Sequence, residues 1–318
     1  MEDSNLQQHS TALLTAWEDG TLSYHDAVAQ LNTLRAEAQT RARPEDEAFL
    51  ESRLGVIEGY RGNYVGSIAH FERARDLYLR ANNRRQVVTC TLNIGETYRL
   101  KGNFARARQY FRTGLDAAVE LGDRELQVLA RANESQMMIS QGNAAQAEAS
   151  LRECYALCEE PFPVLAGASP EVVARNQLDQ RADIAHALST LYLDSGDIEQ
   201  AWHFAQEGLK LATLLQTDLR IGFAYRALGE VVTVLEHPPE PPLSPDPDHY
   251  FSESIARFKA VNAEGETART LFAQGRSLRR RGRQTQATRK LHQAMIMFSR
   301  LGMVDDAAKA AEEQLKLL

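Results

Sequence analysis

A short turn recurs through this chain: a glycine, then Asn or Asp, then an apolar residue. It reads Gly62-Asn63-Tyr64, Gly102-Asn103-Phe104, Gly142-Asn143-Ala144 and Gly196-Asp197-Ile198, with a weaker copy at Gly282-Arg283-Gln284. The first three copies lie 40 residues apart. Their flanks repeat with them. Seven residues before the turn glycine stands a small residue: Gly55, Gly95, Ser135, Ser189 or Gly275. Five after it comes Ser67, Ala107, Ala147, Ala201 or Ala287. Nine after it comes Phe71, Phe111, Leu151, Ala205 or Leu291, and twelve after it Ala74, Gly114, Cys154, Gly208 or Ala294. A fixed period of this length marks a stack of like units. Each unit is two antiparallel helices whose backbones approach closely, so small residues are required where the helices meet. The glycine ends the first helix in a left-handed conformation, and Asn or Asp starts the second.

Composition agrees with helices. The chain of 318 residues is 43% hydrophobic and 25% charged, enough to bury a sizeable core. Helix-favouring Ala, Leu, Arg, Glu and Gln dominate it, and strand-like runs of Val, Ile and Thr are nearly absent.

This pattern resembles the tetratricopeptide repeat family, best in 92–104 followed by Ala107, Phe111 and Gly114. The longer period, with Leu121-Gly122-Asp123 and Leu301-Gly302 between repeats, is similar to the long-helix variant of kinesin light chains, Leu-Gly-Asn adaptors and bacterial signalling regulators. The resemblance implies an all-α, right-handed superhelical solenoid of about six to seven repeats plus a C-terminal capping helix, forming one domain over residues 1–318. A degenerate first repeat is expected at 4–40. Clear repeats follow at about 48–80, 88–121, 128–158 and 182–215. The fifth has helices around 221–235 and 249–260, the last spans about 268–300, and a final helix covers 305–317. A proline-containing insertion interrupts the array at about 159–170, and a proline-rich loop at about 237–248 replaces one tight turn.

The resemblance also implies a job: binding a partner protein or peptide as a scaffold, adaptor or regulator, with the first helix of each pair lining a concave groove. The residues it places there are Phe49, Tyr60, Leu92, Glu96, Arg99, Gln136, His186, Phe223, Arg226, Arg269, Phe272, Arg276, Arg279 and Arg280. The early part of that groove is apolar and mixed. The late part is basic, because residues 268–304 carry nine Arg or Lys and no Asp or Glu. Arginine forks onto carboxylates and phosphates. The expected ligand therefore presents an acidic, C-terminal or phosphorylated part to Arg276, Arg279 and Arg280. The competing explanation is a solvated basic face at a helix C-terminus.

Other classes are disfavoured. A net charge of −7 argues against a general nucleic-acid binder, leaving RNA binding through the basic last repeat as the alternative. No P-loop, dinucleotide glycine pattern or His-Glu-x-x-His site occurs, so no cofactor, metal or enzymatic activity is expected. Cys154 occupies a small-residue packing position, which favours core over metal. Three cysteines without a framework, no apolar segment after the acidic N-terminus and no membrane-length apolar run point to the cytoplasm. Homo-oligomerisation is left open, as is membership of a larger signalling system. Leu6, Leu13, Leu14 and Trp17 belong either to the degenerate repeat or to a contact surface.

Overall fold

A computed structural model describes residues 3–164, 169–237, 239–240 and 243–317. Residues 165–168 of the insertion and Pro238, Pro241 and Pro242 of the proline-rich loop lie outside the described residues. The described residues form fifteen α-helices and no strand. They are α1 (Asp3–Glu18), α2 (Tyr24–Thr40), α3 (Pro44–Arg61), α4 (Tyr64–Arg80), α5 (Arg84–Leu100), α6 (Phe104–Glu120), α7 (Arg124–Ser140), α8 (Ala144–Leu157), α9 (Pro170–Ser195), α10 (Ile198–Leu215), α11 (Asp218–Val232), α12 (Pro247–Ala260), α13 (Glu264–Arg280), α14 (Gln284–Arg300) and α15 (Val304–Leu315). The chain divides within α9 into two compact units, Met1–Gln180 and Arg181–Leu318.

The local grammar explains the helix ends. Gly62, Gly102, Gly142, Gly196 and Gly282 all take positive φ, between 74° and 96°, a region that costs other residues steric strain. Asn63, Asn103 and Asp197 then accept a hydrogen bond from the backbone N–H three residues on, as N-caps. Asn143 makes no such bond, and α8 has 14 residues against 17 in α4 and α6.

Packing within a pair is small against large. A Cβ added at Gly55 would lie 2.9 Å from Phe71, one at Gly95 2.8 Å from Phe111, and one at Gly275 2.7 Å from Leu291. The small residue of the first helix thus receives the large residue of the second. The small residues of the two helices also meet: Ser67 Oγ donates to the Gly55 carbonyl at 2.8 Å, and in the other unit Ser189 Oγ donates to the Ala201 carbonyl at 2.9 Å.

In the first unit, α1/α2, α3/α4, α5/α6 and α7/α8 are successive antiparallel pairs. First helices touch one another directly, as α1 with α3 and α5 with α7 do. Leu6, Leu13, Leu14 and Trp17 are buried, Trp17 to 1% exposure, so they are the core of the degenerate first repeat. The second unit packs the later part of α9 on α10, through Ser189 to Ala201 and Tyr192 on Phe204, then stacks α11/α12 and α13/α14, with α15 packed on α14 as the terminal cap.

Two boundaries differ from the sequence expectation. α9 starts at Pro170, twelve residues early, because proline suits a first helical turn. Gln177 of that extension ties the insertion down. It donates to the carbonyls of Cys158 and Glu160 at 2.8 and 3.1 Å and accepts from the Phe162 N–H at 2.9 Å. α12 begins at Pro247 with Asp246 as its cap, and the Tyr250 hydroxyl accepts from the Ser244 N–H at 2.8 Å, anchoring the end of the proline loop.

Candidate ligand-binding face

In the first unit the first helices share a layer, and each presents a stripe at helical spacing. On α3 the stripe is Phe49, Arg53 and Tyr60. The Arg53 guanidinium lies 4.4 Å from the centre of the Phe49 ring, and Tyr60 sits 6.2 Å from Trp17 of α1. On α5, Leu92 does not join the stripe. It is fully buried and fills the hollow over Gly114, where an added Cβ would run into it. Its place on the face is taken by the next residue, Asn93. Glu96 and Arg99 follow, paired two-pronged at 2.5 and 2.7 Å. On α7 the partly buried Gln136 is preceded by Asn133.

Arg53, Asn93 and Asn133 occupy one register position: two residues before the small residue at Gly55, Gly95 and Ser135. Asparagine is a weak helix former in mid-helix, at roughly 0.5 kcal/mol below alanine. Among the described residues neither amide side chain has a hydrogen-bond partner. Charge and aromatic content, which guided the sequence reading, passed over these two residues. The available signal was a mid-helix Asn repeated at 40-residue spacing. The same register in the second unit holds Ala187, Ala227 and Ala273.

The second unit is organised by ion pairs. Arg226, buried to 8% exposure, pairs with Glu266 at 2.7 Å and lies over the rings of Phe223 and Phe258. Arg269 pairs with the same Glu266 at 2.6 Å and with Asp306 of α15 at 3.2 Å. Burial alone would raise the Glu266 pKa, but the two guanidinium groups outweigh it and hold it at about 2. Arg279 reaches Glu313 of α15 at 3.0 Å. Arg281 and Arg283 converge on Asp248 at 2.8 and 2.5 Å. The acid-free stretch is therefore matched by acids on either side of it, and Arg269 and Arg279 fasten the terminal helix. Of the expected anion-binding trio, Arg276 and Arg280 are exposed and have no ion-pair partner among the described residues.

Arg276 lies 5.9 Å from the centre of the Phe272 ring, which in turn sits 6.4 Å from Phe298. It also influences Asp194 and Glu230. Burial raises the pKa of both acids, and the Arg276 charge opposes the rise. His186 stands at the register position of Leu92 and lies against Phe223 at 5.7 Å. A narrow cleft beside it is lined by Phe204, Gly208 and Ala224, with the Asp183–Arg220 ion pair among its walls. Among the described residues no group of three or more His, Cys, Asp or Glu could hold a metal ion. No described helix is long and apolar enough to cross a membrane.

A stack of paired helices with a shared inner layer is the architecture of helical-repeat proteins. Residues 46–118 and 88–160 match the tetratricopeptide repeat family, so this stretch of the chain carries tetratricopeptide repeats. No curated protein matches it in sequence. Among solved structures it is similar to a Rap protein complexed with competence and sporulation factor: 14% identity, TM-score 0.57, covering 92% of this chain and 69% of that one. It is also similar to the Rap conjugation gene regulator of plasmid pLS20 in complex with the Phr* peptide: 16% identity, TM-score 0.68, covering 89% and 71%. A third similar structure is a signal-transduction ATPase with a tetratricopeptide repeat sensor from Pyrococcus horikoshii: 12% identity, TM-score 0.52, covering 92% and 44%. At these identities the likeness is one of fold.

Proposed function

We propose that this chain is a regulator or adaptor that binds a short peptide, or an extended segment of a partner protein, on its first-helix layer. The observation that carries the reading is the row Arg53, Asn93 and Asn133, repeated on neighbouring helices of the first unit. A primary amide offers both donor and acceptor, which matches the backbone of an extended chain regardless of its side chains. Leaving such groups unused in a helix interior has a cost in stability, so a ligand that satisfies them gains by it. The peptide complexes among the similar folds support this class of ligand. In the second unit, Arg276, with Asp194 and Glu230 within its influence, offers charged contacts of both signs.

The test is retention of short random peptides by the purified full chain, read by mass spectrometry, with Asn93→Ala/Asn133→Ala as the comparison. The expected result is a discrete retained set whose affinity falls at least about tenfold in the double variant, from losing hydrogen bonds worth about 1 kcal/mol each. Saturable peptide binding that is indifferent to both amides would reject this face.

A further inference from the structure

The first-helix layer of the first unit is crossed by a segment of the chain itself. The N-terminal part of α9, residues 170–180, belongs to this unit. Two adjacent residues of it reach helices at opposite edges of the layer. Arg175 pairs with Glu18, the last residue of α1, at 3.4 Å. Asn176 Nδ2 donates to the carboxylate of Glu125, the second residue of α7, at 2.9 Å, and Gln180 Nε2 donates to the Glu125 carbonyl at 3.4 Å. In the stack, α3 and α5 stand between α1 and α7, and α4, α6 and α8 take the outer side of the layer. A segment that holds both α1 and α7 therefore crosses the inner side. The face beneath it is a covered one: Asn133 is only 8% exposed, and the Nε of Arg53 is shut off from solvent.

The crossing segment is lightly held. Of residues 170–180 only Val173 and Gln180 are buried, whereas α5 buries eight of its 17 residues. Elements with few buried apolar contacts are the first to open locally. Its ion pair to Glu18 is partly solvated, and such pairs contribute little. Its other acceptor keeps a partner when the segment leaves, because Arg85 also holds Glu125, at 2.7 Å. The segment also leaves the amides beneath it unsatisfied, since among the described residues neither Asn93 nor Asn133 gains a hydrogen bond. A ligand that satisfies them replaces an occupant that does not.

We propose that residues 170–180 are a built-in competitor for the first unit's ligand face. The segment covers the face at rest, and a peptide binds by lifting it off α1 and α7. This rests on the peptide-binding reading for the nature of the ligand. Tethering holds the segment at an effective concentration on the order of millimolar. The apparent affinity of any ligand is then lowered by the fraction of molecules in which the segment is lifted.

The experiment compares the full wild-type chain with Arg175→Ala/Asn176→Ala, in which neither replaced side chain is buried. Hydrogen exchange read by mass spectrometry comes first. The amides of residues 171–180 are expected to exchange at least about tenfold faster in the variant, with α3, α5 and α7 unchanged. Exchange that quickens throughout α3, α5 and α7 would make the segment part of the repeat core and overturn the proposal. No change in residues 171–180 would overturn it too. The second arm titrates a fluorescent synthetic peptide that copies residues 169–180. It should bind the variant saturably, bind wild type at least about tenfold more weakly because the tethered copy holds the face, and lose binding when the peptide itself carries both alanines. Failure to bind the variant, or equal binding to both proteins, counts against the proposal. The third arm separates it from the peptide-binding reading. Short random peptides retained at least about tenfold better by the variant support both. Equal retention by the two proteins rejects the competitor and leaves peptide binding standing. No retention by either, with the 169–180 peptide still held by the variant, upholds the segment's occupancy of the face and rejects foreign peptides as its ligand.

Discussion

The two units solve one packing problem in different ways. In the first, Gly114 sits under Leu92, and the repeat closes over it. In the second, the equivalent Gly208 has nothing within 4 Å of an added Cβ, because His186 replaces the leucine and turns to Phe223. The inner faces diverge in the same way. The first unit carries Arg53, Asn93 and Asn133 where the second carries Ala187, Ala227 and Ala273. The first keeps polar groups that its fold does not use. The second uses its charges on itself, through Arg226, Glu266, Arg269 and Asp306. A repeat motif fixes backbone geometry, while the residues between motif positions remain free to serve either stability or a ligand.

The comparison can be broken most forcefully at the buried ion pair. Arg226→Ala should destabilise the second unit by about 3 kcal/mol, because it strips a buried carboxylate of one of its two cations. The pH dependence follows in sign. Glu266 has a depressed folded pKa of about 2 against a reference of 4.5, so its stabilisation is present above pH 4.5 and fades as pH falls toward 2. The variant should lose that stretch of acid resistance, which unfolding in urea at stepped pH would reveal.

Next in size is one substitution made at two glycines. Gly114→Ala should cost about 1–3 kcal/mol by overpacking against Leu92. Gly208→Ala should instead stabilise by about 0.4–1 kcal/mol, since the space is open and alanine favours the helix. Urea unfolding of the two variants beside wild type checks both signs, and equal losses would erase the contrast. The smallest effect is at Glu230. Its raised pKa means that the fold disfavours its charged form, so stability falls as pH rises through the folded pKa. Glu230→Gln should therefore melt higher than wild type at neutral pH, with the gain vanishing in acid, where the wild-type side chain is already protonated.

Much of the fold was legible in the sequence. The turn glycines, the Asn and Asp caps and the terminal helix stand where the period places them, since each is set by residues a few positions apart. Leu92 was misread as a groove residue because register alone does not say which of two neighbouring residues a glycine hollow will swallow. Asn93 and Asn133 were missed because an amide acquires meaning only when its lack of partners is visible. The early start of α9 was hidden by the prolines before it, one of which begins the helix.

The basic last repeat marks the boundary most clearly. The sequence by itself determined that residues 268–304 carry positive charge without acids, and that they form a helix pair and its turn. Only the tertiary structure decided which of those charges are spent, by bringing Asp248, Asp306 and Glu313 to Arg281, Arg269 and Arg279. The reason is physical. Helix and turn preferences act within a few residues along the chain, whereas an ion pair depends on distance in space, and stacking the repeats joins residues 33 to 40 positions apart.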